Sequence, residues 1–69
     1  MARNVTAHDL RDAVLERGEV VILVAHDAAL GCQVYVAARY DEPGVATPLH
    51  RPTTDWDEAD AYAASVRRR

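Results

Sequence analysis

Apolar side chains recur along this chain with two different periods, and the changes of period mark its elements. Between residues 4 and 18, Leu10, Ala13 and Val14 fall on one helical face, with Leu15 on its flank. The ends of the segment carry helix punctuation. Thr6 stands where an N-cap would, with Asp9 three positions on, and Val5 and Leu10 have hydrophobic-staple spacing. Arg17 suits a last turn, and Gly18 suits the left-handed residue beyond it. The pattern predicts a helix of about three turns, too short to stand without packing on something.

From residue 19 the period changes to two. Val20, Ile22 and Val24 point one way, and Val21, Leu23 and Ala25 the other, so the strand over residues 19–26 is apolar on both faces. Such a strand belongs inside a sheet. Residues 27–31 end in Gly31 and make a tight connection. Over residues 32–40, Cys32, Val34, Val36 and Ala38 alternate with Gln33, Tyr35, Ala37 and Arg39, which completes an antiparallel hairpin. Asp41-Glu42-Pro43-Gly44 reads as a turn, with Pro-Gly at the type II positions. Residues 45–49 offer a third strand, which Pro48 confines to an edge. A loop over residues 51–53 leads to a second helix, residues 55–67, capped by Thr54 or Asp55. Its stripe of Trp56, Ala59, Tyr62, Ala63 and Val66 faces inward. The expected fold is one α+β domain over residues 1–69. A small antiparallel sheet of two or three strands carries two helices, in the order α-β-β-(β)-α.

Length and composition narrow this further. A chain of 69 residues supports one core and buries only ~60% of its unfolded surface, so a homodimer is one remedy for a thin stability margin. Cys32 is the single cysteine, which excludes an intramolecular disulfide and fits a reducing cytosol. It is expected to be a buried small residue on its strand. No apolar stretch follows Met1, and the run over residues 20–25 is too short to cross a bilayer. A cytoplasmic protein with no membrane partner is the expectation. The net charge of −3 argues against direct nucleic-acid binding. Its distribution is uneven: Asp41, Glu42, Asp55, Asp57, Glu58 and Asp60 crowd the second half, and Arg67-Arg68-Arg69 closes the chain.

Candidate chemistry is sparse. His8 and Asp12 have helical metal-ligand spacing, but no further ligand pattern accompanies them. His26 beside Asp27 reads as a polar pair at a turn. Cys32 lacks the helix N-terminus that would lower a thiol's pKa, and Ser65 lacks the glycines of a nucleophile elbow. The glycines are isolated turn formers. No catalytic residue, cofactor or metal ligand is assigned, and a non-catalytic role is expected. The terminal arginines read as a frayed tail that complements the helix dipole. The acids carry the one functional expectation. Asp57 and Glu58 lie away from the apolar stripe, Asp60 sits on its flank, and Asp41 and Glu42 project from the turn. Carboxylates spaced on a small rigid body imitate a phosphate backbone and suit a basic groove. These five residues are the expected partner-binding set.

Two resemblances bear on the partner. Val5-Thr6-Ala7-His8-Asp9-Leu10-Arg11, followed by Gly18-Glu19-Val20-Val21-Ile22, is similar to the start of Phd/YefM-type antitoxins, over roughly residues 5–40. That likeness implies a capped helix and hairpin, and an antitoxin or small dimeric transcriptional regulator. In general character the chain also resembles the small phage-borne inhibitors that block CRISPR effector complexes. They share size, acidity and a compact α+β reading, but no motif. This second likeness implies a stoichiometric inhibitor whose partner is a large nucleic-acid-binding effector complex, and it is the reading placed first.

Overall fold

A strand apolar on both faces needs a neighbour on each side. In the computed structural model, which describes residues 3–6, 8–12 and 14–67, it has them. β1 (Arg3–Thr6), β2 (Val20–Asp27), β3 (Cys32–Glu42) and β4 (Val45–Pro48) form one sheet in the order β1-β2-β3-β4. β1 runs parallel to β2, with Val5 opposite Leu23. The pairs β2–β3 and β3–β4 are antiparallel, with Ile22 opposite Ala37 and Arg39 opposite Thr47. α1 (Trp56–Arg67) follows a connection that stays close to β3.

The expected pair of helices on a two- or three-stranded antiparallel sheet is therefore wrong. Among the described residues the N-terminal segment is strand β1, then a short 3-10 helix over Asp9–Arg11, then irregular chain. The sheet is mixed and four-stranded. The physical reason lies in β2. Its edge away from β3 presents backbone N–H and C=O groups that must be satisfied, and β1 satisfies them while burying Val5. The helix signals themselves were locally sound. The Thr6 hydroxyl accepts the Asp9 N–H at 3.1 Å, and Gly18 has φ +88°. They start and finish a crossover instead of a helix. Val14, expected on the packed face, is 91% exposed, and Ala13 lies outside the described residues. The segment similar to Phd/YefM antitoxins is thus strand and 3-10 turn where that likeness implied a helix.

Each face of the sheet carries its own core. On one side Val20, Ile22 and Ala37 meet Ala59 and Ala63 of α1, with Tyr35, Leu49, Trp56 and Val66 around them. On the other, Val5, Leu10, Val21 and Tyr40 pack together, bordered by Leu15, Leu23 and Ala46. The crossover from β1 to β2 covers this second side. Val21 and Ile22 are adjacent, fully buried and on opposite faces. The connection between β2 and β3 is closed by Asp27, whose carboxylate accepts the N–H groups of Ala29 and Leu30.

Candidate functional site

α1 opens with a tightly bonded cap. Asp55 accepts the Asp57 N–H on its side chain at 3.0 Å, and its carbonyl takes the first helical bond from Ala59. The Thr53 hydroxyl oxygen accepts the Asp55 N–H and in turn donates to Glu58 Oε2 at 3.0 Å. Thr53 is itself fixed, because its backbone exchanges two hydrogen bonds with Tyr35 of β3. Glu58 is thereby tied through one hydroxyl to the sheet. Asp57 is exposed beside it, and Asp60 is half-buried on the flank. Negative groups in a first turn also suit the positive end of the helix dipole.

A second acidic corner lies at the end of β3, where Asp41 and Glu42 are strand residues and not, as expected, part of the turn, which is Pro43-Gly44. Asp41 is half-buried, and its Oδ2 accepts the Thr47 hydroxyl at 2.6 Å. Glu42 is exposed and pairs with Val45 across a turn in which Gly44 takes φ +82°. That turn is docked on the crossover: the Gly44 N–H reaches the Leu10 carbonyl, and a Cβ at Gly44 would meet Arg11 Cγ at 3.4 Å.

The five expected contact residues therefore do not form one patch. Thr53, which leads into α1, pairs with Tyr35, and Asp41 lies six strand residues further along β3. At ~3.3 Å per residue Tyr35, where the lead into α1 is anchored, and Asp41 are about 20 Å apart along β3. Asp57, Glu58 and Asp60 make one corner, and Asp41 and Glu42 the other. A threonine hydroxyl orients a carboxylate at each, Thr47 at Asp41 and Thr53 at Glu58, and no sequence pattern marks either threonine. Their Thr-to-acid separations, six and five residues, match no recognised motif.

Tyr62 belongs to this surface too. It was expected inward, but it is 45% exposed and stacks on His50 with ring centroids 4.2 Å apart. With Glu58, Ala61 and Ser65 it lines a shallow, open depression on the outer side of α1. Trp56 is half-buried and donates its indole N–H to Asn4 Oδ1 at 2.7 Å, which ties α1 to β1.

The remaining candidates lie apart from one another. Cys32 is exposed, not buried, because β3 runs past the residues packed by α1 and the crossover. His8 and Asp12 flank the 3-10 turn and are exposed, as is His26 at the end of β2. Among the described residues no group of three or more His, Cys, Asp or Glu side chains is placed to hold a metal ion. Among the described residues no helix is long and apolar enough to cross a membrane. Arg68 and Arg69 lie outside the described residues. The chain matches no family model, no curated protein and no solved structure.

Proposed function

We propose that this protein is a non-catalytic inhibitor that docks on a basic, nucleic-acid-binding groove of a large effector complex, in the manner of an anti-CRISPR protein. One observation supports the reading: Glu58, on a capped helix start, is held by the hydroxyl of Thr53, whose backbone is hydrogen-bonded to Tyr35 of β3. A carboxylate already fixed loses little side-chain freedom on binding, so its attraction to an arginine or lysine is not spent on ordering it. Asp57 and Asp60 extend the negative field. Tyr62, exposed one turn beyond Glu58, adds an aromatic anchor of the kind that dominates interface energetics. The second corner, with Asp41 held by Thr47, presents negative charge about 20 Å along β3 from Tyr35. A groove built for a phosphate backbone offers cationic contacts at more than one point over such a span.

The test is a binding and interference assay with purified RNA-guided effector complexes. Wild-type protein is expected to bind one of them with an affinity that falls as salt rises, and to restore phage growth on a host carrying it. The triple variant Asp57→Asn, Glu58→Gln, Asp60→Asn is expected to lose at least about tenfold in affinity, as one truncated charge-pair contact does. Undiminished binding by that variant would refute the electrostatic mechanism. Failure of the wild-type protein to bind any such complex would refute the choice of partner.

A further inference from the structure

The outer edge of β3 is closed in an unusual way. At Tyr35 the neighbouring chain supplies both ladder hydrogen bonds, with Thr53 donating and accepting. At Ala37 it supplies one: the Leu49 N–H donates to the Ala37 carbonyl at 2.9 Å. The Ala37 N–H is satisfied by a side chain, His50 Nε2, at 2.8 Å. Between Leu49 and Thr53 the chain leaves the strand path, and the imidazole fills the gap.

This geometry fixes the proton on the ring. Nε2 accepts from Ala37, so it carries the lone pair. Nδ1 therefore carries the hydrogen and donates to the Arg51 carbonyl at 2.6 Å. Only the neutral Nδ1–H tautomer satisfies both contacts. Tyr62 stacks within 12° of parallel and keeps the ring in line with the strand edge. A proton added at Nε2 would set one N–H against another and leave the Ala37 amide without an acceptor.

We infer that His50 is a proton-operated latch, which when neutral closes the β3 edge and when protonated releases the 49–53 connection from Ala37. The elements packed around the ring carry further titratable and charged groups. β3 carries Tyr35 and Arg39 on the same face as Ala37, α1 carries Glu58 and Tyr62, and Arg51 adjoins the ring in sequence. The Glu58 carboxylate, the negative group among these, is held by the Thr53 hydroxyl. None of them replaces the acceptor that Ala37 loses. Acidification that adds a proton at Nε2 opens the latch. A bared strand edge is a template for pairing with another strand, so its release changes what this side of the molecule can contact.

Nitrogen NMR of the ring and amide hydrogen exchange on the full chain test the latch. At about pH 8 the His50 ring is expected as the Nδ1–H tautomer. By about pH 5, protection of the Ala37 amide is expected to fall about tenfold relative to that of Ile22, the effect of one lost hydrogen bond. His50→Gln, whose amide accepts and donates at either pH, is expected to remove that fall. A wild-type Ala37 amide that keeps its protection relative to Ile22 overturns the inference, whether or not His50→Gln folds normally. So does an Nε2–H tautomer at about pH 8.

Discussion

Val14 separates the two accounts of the N-terminal segment most sharply. On a helical face it would pack beside Leu10, and a polar replacement would cost about 2 kcal/mol or more. In the structure it is 91% exposed, and its backbone carbonyl accepts a hydrogen bond from the Arg3 guanidinium. Val14→Asp is expected to leave stability within about 0.5 kcal/mol of wild type, read from the urea midpoint. Other single residues were legible from the sequence. Asp55, one of the two expected caps, caps α1, Thr6 bonds the Asp9 N–H although a 3-10 turn and not the expected helix follows, and Gly44 takes the positive φ that its place after Pro43 suggests. These depend on neighbours within a few positions, and local chemistry determines them. His50, Thr47 and Thr53 were not legible, because their partners are brought to them by the folded sheet.

At the scale of elements, the hairpin of β2 and β3, the edge strand β4 and the helix α1 follow from period, turn residues and Pro48. β1 does not. Arg3–Thr6 is four residues with a single buried side chain, too little for a periodic signal. A clue was nonetheless present. A strand apolar on both faces is flanked on both sides, and the hairpin gives β2 only one neighbour. The missing strand had to come from the segments before or after the hairpin. Packing between α1 and the sheet rests on small residues: Ala37, Ala59 and Ala63 are fully buried where the two layers meet. Ala63→Leu is expected to destabilise by about 1–3 kcal/mol through overpacking. Ala61→Leu, on the exposed side of the same helix, is expected to change stability by less than about 0.5 kcal/mol. Chemical denaturation of the two variants checks both.

For the whole molecule, what matters is that both cores are built on one strand. Val21 belongs to the crossover side and Ile22 to the helix side, so neither layer survives loss of β2. Trp56 fluorescence reports the α1 core, and far-ultraviolet circular dichroism reports the sheet and helix together. The two unfolding curves are expected to coincide as one cooperative transition. Separate midpoints would mean that α1 leaves before the sheet. The candidate site was legible only in part. The acids were visible as charge, but their division between two corners depends on the register of Tyr35 with Thr53, which no local pattern encodes.

The exposed sulfur at the start of β3 gives the molecule an internal ruler. Cys32 lies three residues from Tyr35 and nine from Asp41. At ~3.3 Å per residue, a dye or spin label attached there stands about 10 Å along the strand from one acidic corner and about 30 Å from the other. As the single cysteine of the chain it accepts such a label at one defined place. Quenching or line broadening by a bound partner then tells which corner that partner covers, with no residue replaced.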